Sequence, residues 1–126
     1  MDALPTYVTM CRAKLHNATV TETKLQYEGS ITVDQNLLDA AGMYLYEKVH
    51  VVNLNNGERF ETYIIPGERD TGEVCLNGPA ARLAEVGDTV IVIAYSLVPE
   101  ADAPAFRPTI VVLGPQNQLR EILRPA

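Results

Sequence analysis

Three kinds of side chain in this sequence could carry reaction chemistry, and they lie far apart along it. They are a serine preceded by glycine at Gly29–Ser30, the cations Lys14 and Arg59, and the phenol of Tyr63. A serine hydroxyl can attack the carbonyl of the residue before it and turn that amide into an ester. The amide is planar and resonance-stabilised, so the attack needs backbone held away from ordinary geometry. Gly29 suits this, because it has no Cβ to clash and reaches conformations closed to other residues. The Arg59 guanidinium can make paired, charge-assisted hydrogen bonds to a carboxylate. A phenol with a pKa of about 10 is protonated at neutral pH, so Tyr63 can give up a proton without special tuning. Taken singly, each has a plainer reading: a Gly-Ser turn between strands, solvated strand cations, and a half-buried strand tyrosine. Arg59 and Tyr63 fall on one face of a regular strand but about 13 Å apart along it, while Thr62 faces the other way.

The elements that would position these residues are short. Thr6 to Arg12 and Lys14 to Thr21 are rich in Val, Thr and Tyr and read as two strands. Asp34 is an N-cap for a helix over Gln35 to Ala41, which Gly42 stops. Lys48 to Leu54 and Arg59 to Ile65 form a hairpin around Asn55-Asn56-Gly57. Glu73 to Leu76 is a strand, Asn77-Gly78-Pro79 a turn, and Pro79 opens a short helix through Leu83. After the Gly87-Asp88 turn come the apolar strand Thr89 to Val98, a proline-rich loop from Pro99 to Pro108, and strands at Thr109 to Leu113 and Gln118 to Leu123. Many short strands with two stubby helices imply a mainly β fold closed into a barrel.

Length and charge narrow the function. A chain of 126 residues fits one domain, 1–126, with one core. No apolar run approaches the ~20 residues of a membrane span. The start, MDALPTYVTMCR, carries no secretory pattern, and Cys11 and Cys75 read as buried thiols, so a cytoplasmic location is expected. Asp and Glu outnumber Lys and Arg by 16 to 10, for a net charge of −6. That balance, without a basic cluster, argues against nucleic acid as a partner. An anionic small molecule would need basic residues gathered locally, which again singles out Lys14 and Arg59. Two scattered histidines and two cysteines make no metal motif, and neither a phosphate loop nor a Ser-His-Asp set is present.

The segment Tyr27-Glu28-Gly29-Ser30-Ile31-Thr32-Val33-Asp34, followed by Leu38-Asp39-Ala40-Ala41-Gly42, resembles the processing region of the aspartate 1-decarboxylase family. Asn56 to Tyr63, Leu76 to Ala81, Ala13-Lys14-Leu15-His16 and Gly87 to Ile91 agree with it in order and spacing. The resemblance runs from about Thr6 to the loop before Pro108.

It implies a double-psi β-barrel, a homotetramer with sites between subunits, and self-cleavage into 1–29 (β chain) and 30–126 (α chain). Ser30 would become a pyruvoyl cofactor that forms a Schiff base with L-aspartate, with no metal and no pyridoxal phosphate. The product would be β-alanine, for pantothenate and coenzyme A synthesis. The resemblance gives Tyr63 the role of proton donor, Thr62 and Asn77 roles in maturation, and Arg59 and Lys14 the substrate's carboxylates. Asn77, Gly78, Pro79, Ala80 and Ala81 would line the substrate, and His16 and Tyr27 would lie near it. Pro79 departs from the alanine more usual there and removes one backbone N–H. Since Thr62 must serve the cleavage site while Tyr63 and Arg59 serve the substrate, a bulge or a subunit boundary is expected at Thr62. The contrasting reading is a barrel that is never cut and acts as a binding or assembly module.

Overall fold

The computed structural model describes residues 4–125. Within them β1 (Tyr7–Thr19) is one long strand, where the sequence pattern predicts two. The cause is a bulge. Antiparallel pairing with β7 (Thr89–Pro99) steps from Cys11↔Tyr95 to Ala13↔Ala94 and leaves Arg12 as the extra residue. A bulge breaks the in–out alternation and bends the strand without ending it. A second shift lies between Leu15 and Ala18, around Asn17, whose φ is 63°. The first bulge has a use of its own. Arg12 donates to the carbonyl of Gly42 at 2.7 Å and forms an ion pair with Glu47.

The other strands are β2 (Glu22–Lys24), β3 (Ser30–Asp34), β4 (Lys48–Asn53), β5 (Arg59–Gly67), β6 (Val74–Asn77), β8 (Thr109–Leu113) and β9 (Leu119–Leu123). They form one mixed sheet in the order β2-β6-β3-β5-β4-β7-β1-β8-β9. β1 and β2 stand far apart in that order, yet only Val20 and Thr21 separate them in the chain. Val20 N–H donates to Asp88 O at 2.9 Å and Thr21 N–H to Val74 O at 2.8 Å. The chain that pairs with β7 and β8 therefore turns at once to pair with β6, and the sheet curls back on itself as a barrel. Leu15, Ile31, Val33, Val51, Ile64, Leu76, Val90 and Val92 fill its interior with no exposed surface. β4 alternates buried and half-exposed positions, as a strand with one wet face does. β3 and β6 are different, being buried along nearly their whole length.

The predicted helix α1 (Gln35–Ala41) has the predicted ends. Asp34 accepts from the N–H of Asn36 at 2.8 Å, and Gly42 takes φ 71° with its N–H on Asp39 O. The hairpin turn also matches, with Asn53 N–H on Glu58 O at 2.8 Å and Gly57 at φ 77°. Two details differ from expectation. The helix after Asn77 is a 3₁₀ helix (Gly78–Leu83), and the stretch read as a loop after Pro99 contains another, Glu100–Ala105. Short 3₁₀ turns carry little periodicity, so residue pattern does not tell the first from an α-helix and leaves the second as coil. No described helix is long and apolar enough to cross a membrane.

Asp34 is buried and does more than cap α1. Its carboxylate also accepts the N–H groups of Thr71 and Gly72, at 3.0 and 2.9 Å. Asp34→Ala strands three backbone donors, and is expected to lower the unfolding free energy by about 2–4 kcal/mol in urea titrations.

Candidate functional site

Ser30 and Asn77 face each other as an antiparallel pair between β3 and β6. Both are buried, with 0% and 1% of their surface exposed. Polar side chains in such strands must find partners inside the protein, and these do. Asn77 Nδ2 donates to Ser30 Oγ at 2.9 Å and to Thr32 Oγ1 at 2.9 Å. Ser30 Oγ in turn donates to the carbonyl of Glu28, two residues back, at 3.4 Å. On the other side of the amide, Cys75 Sγ donates to Asn77 Oδ1 at 3.3 Å. Burial pushes the Cys75 thiol up to about 11, so it stays protonated and remains a donor. Among the described residues no buried side-chain nitrogen or oxygen lacks a partner.

The backbone before Ser30 is held by close approach. Gly78 has φ 64°, and a Cβ there would lie 2.6 Å from Tyr27 O and 2.8 Å from Gly29 N. Only glycine lets the Asn77-Gly78 turn press against the Tyr27–Gly29 segment in this way. Pro79 continues the contact: its Cδ would be 3.5 Å from a Cβ at Gly29. Gly29, Phe60, Glu61, Thr62, Tyr63, Pro79, Ala80 and Leu83 line a pocket of about 300 Å³ beside this turn. A single chain thus gathers Gly29, Ser30, Thr62, Tyr63, Asn77, Gly78, Pro79 and Ala80 into one region. Ala81 follows in the same 3₁₀ turn and is half-buried. Tyr27 lends the region its backbone carbonyl, while its ring is largely exposed.

Lys14, His16 and Arg59 do not join that pocket. They lie instead on the outer face of the barrel. Lys14 pairs with Ile93, Ile93 with His50, and His50 with Glu61, so these four form one row across β1, β7, β4 and β5. Opposed residues of antiparallel strands point to the same side. Arg59 lies two residues from Glu61 on that side, beside Val52 and Ile91, and His16 lies two residues from Lys14. Among the described residues no carboxylate pairs with Lys14 or Arg59, whereas Arg12, Lys24, Lys48 and Arg69 each have one.

The bulge expected at Thr62 is absent. β4 and β5 pair in regular register from Lys48↔Tyr63 through Val49↔Thr62 to Val52↔Arg59. Thr62 and Tyr63, neighbours on opposite faces of β5, both line the pocket. Tyr63 also packs against Tyr46, with ring centroids 6.1 Å apart. Tyr46 has φ 66°, which costs a bulky residue on the order of 1–2 kcal/mol.

Residue reading misses two members of the hydrogen-bonded cluster, half-buried Thr32 and buried Cys75. The signal was present in the strand period: Thr32 lies two residues after Ser30, and Cys75 two before Asn77, so all four share a face. The described residues contain no group of three His, Cys, Asp or Glu side chains able to hold a metal ion.

Fold and site together define a class: a small β-barrel that keeps a buried serine, directly after glycine, under the side-chain amide of a neighbouring strand. A family described as aspartate decarboxylase matches residues 6–120. The aspartate 1-decarboxylase of Bacillus licheniformis is 55% identical over 117 residues, covering 93% of this chain and 92% of that protein. The enzyme of the same name from Bacillus subtilis is 53% identical over the same coverage. That of Leptospira biflexa is 55% identical over 112 residues, covering 88% and 95%. This chain belongs to the aspartate decarboxylase family.

The Gly78 contact is open to direct test. Gly78→Ala places a methyl group into the Tyr27–Gly29 backbone and strains φ, and is expected to lower stability by about 2 kcal/mol or more in thermal unfolding.

Proposed function

We propose that this chain is the precursor of a pyruvoyl-dependent decarboxylase that converts L-aspartate to β-alanine and carbon dioxide, and that it cuts itself between Gly29 and Ser30. The observation that carries the reading is the 2.9 Å hydrogen bond from Asn77 Nδ2 to the Oγ of a fully buried Ser30. A buried oxygen directly after a glycine, receiving an amide hydrogen, suits cleavage by the serine.

The residues present fit the making of such a group. Ser30 Oγ attacks the Gly29 carbonyl carbon, the new C–O bond replaces the Gly29 C–Ser30 N bond, and the hydroxyl proton passes to the freed nitrogen. The Asn77 N–H stabilises negative charge as it gathers on Oγ. Loss of the Ser30 α-hydrogen then expels the Gly29 carboxylate and leaves a dehydroalanine end. Water converts that end to a pyruvoyl group and releases ammonia. Gly78 and Pro79, pressed against residues 27–29, limit the conformations the scissile segment can take.

When formed, the pyruvoyl group supplies a carbonyl that accepts the electron pair released as carbon dioxide departs. The chain's own residues do the rest. Arg59 and Lys14 hold the substrate's carboxylates, and Tyr63 gives a proton to the carbon that has lost carbon dioxide. Asn77 and the backbone N–H groups of Ala80 and Ala81 orient the substrate, with Pro79 contributing none. His16 and Tyr27 stand nearby, and Thr62 serves cleavage.

Lys14 and Arg59 lie on the outer face and do not line the pocket beside Gly29 of the same chain. This supports an assembly in which one subunit brings them to a neighbour's pocket, as in a homotetramer. Half-buried Val52, Ile91 and Ile93 between the two cations supply an apolar surface for that contact. We further assign the barrel to the double-psi type, the reaction to the supply of pantothenate and coenzyme A, and the enzyme to the cytoplasm. Cleavage that occurs only with cell extract would identify a helper in maturation.

Denaturing mass spectrometry of the purified protein should give two pieces, 1–29 and 30–126, the larger lighter by one ammonia than a serine-ended chain. A single intact chain, with and without cell extract, would leave the uncut binding module as the better account. Ser30→Ala should fold and stay whole. Arg59→Ala should cut normally but lose at least about 100-fold in kcat/KM for aspartate, the scale expected for a charged clamp; unchanged kcat/KM would place the clamp elsewhere.

A further inference from the structure

An asparagine amide has two ends of opposite hydrogen-bonding sense and nearly identical shape, so its orientation is set by its partners. At Asn77 those partners form a complete set. The two hydrogens of Nδ2 go to Ser30 Oγ and Thr32 Oγ1, both at 2.9 Å, and Oδ1 receives the Cys75 thiol at 3.3 Å. Thr32 and Cys75 are themselves a directly opposed pair across β3 and β6. They stand one pleat along from the Ser30–Asn77 pair, on the same face of the sheet. Cys75 and Asn77 have only 1% of their surface exposed, so solvent offers the amide no ready alternative partner.

Turning the amide over would reverse every contact. Oδ1 would face Ser30 and Thr32, where it could only accept, and Nδ2 would face a thiol. Ser30 Oγ would then have to donate toward Asn77 and would lose the N–H that stabilises it as it becomes anionic. The orientation of one buried side chain therefore decides whether Ser30 is assisted or hindered as a nucleophile.

We propose that Thr32 and Cys75 are positioning residues for self-cleavage: as acceptor and donor, they fix the Asn77 carboxamide with its nitrogen toward Ser30. The proposal rests on the reading of Gly29–Ser30 as the cleavage site. Its two elements are distinct in action. Thr32 anchors the second Nδ2 hydrogen, and Cys75 gives Oδ1 a reason to point away from the serine. Neither touches the reacting bond.

The test is the rate of cleavage of freshly expressed, purified full-length precursor, followed by denaturing mass spectrometry, with thermal unfolding measured on each sample. Thr32→Val keeps the shape and removes the hydroxyl; it should slow cleavage at least about tenfold. Thr32→Ser restores the acceptor and should cut within about threefold of the wild-type rate. Cys75→Ala should also slow cleavage, and Cys75→Ser, which keeps a donor, should recover it. A purely structural role would instead make the rates follow the unfolding temperatures, with no rescue by serine. Wild-type cleavage rates in folded Thr32→Val and Cys75→Ala would overturn the proposal while leaving the cleavage site in place. Should Thr32→Val fail to fold, the Cys75→Ala and Cys75→Ser pair decides the matter by the same comparison. A wild-type chain that never cuts would overturn the underlying reading, and this proposal with it.

Discussion

A serine with no exposed surface must have its hydrogen-bonding needs met by protein, because an unpaired buried hydroxyl costs on the order of 1–3 kcal/mol. Here that requirement ties together pieces from three parts of the chain. Ser30 and Thr32 come from β3, Asn77 and Cys75 from β6, and Glu28 from the segment between β2 and β3. β6 lies against β3 in this register with β2 on its other edge and the 3₁₀ turn at Gly78–Leu83 following directly from its end. Satisfying one oxygen thus constrains the curvature of the barrel around it.

The charges follow a different logic. The chain is acidic overall, and several of its cations are neutralised locally, as Arg12 is by Glu47 and Lys48 by Glu61. Lys14 and Arg59 share a face with each other and with half-buried aliphatic residues, with no such partners among the described residues. A cation on an apolar ground attracts a carboxylate more strongly as the surroundings dry out. The buried serine and these cations thus occupy opposite settings, one dry inside the barrel and the other on its outer face.

Local chemistry made part of this readable in sequence. Asp34 and Gly42 bracket α1 because capping depends on neighbours within a few residues, and Asn55-Asn56-Gly57 turns the hairpin for the same reason. Features set by pairing across the sheet were less visible. The Arg12 bulge exists only in relation to β7, so β1 reads as two strands. β2 is three residues long and owes its shape to β6. The site residues were legible through family resemblance rather than through their own types. Thr32 escaped notice because its bond joins it to Asn77, 45 residues away, and Cys75 because its bond to Asn77 matters only once Asn77 meets β3, although the period of two placed them beside Ser30 and Asn77.

The continuity of β1 into β2 has a consequence for the order of events in the molecule's life. A break after Gly29 falls beyond both strands, so the first piece would hold β1 between β7 and β8 and β2 against β6. It would also keep Ala13, Leu15, Ala18 and Val20 in the core. Such a piece is trapped by its neighbours on both sides and has no covalent need of the rest. As part of an intact chain, however, it finds its place at the high local concentration that a tether provides. Two separate pieces would have to meet in solution and assemble a central strand between partners not yet in position. In a chain cut there, folding first and cutting second would turn a difficult encounter into an internal step, and would leave a nicked barrel whose halves stay interlocked.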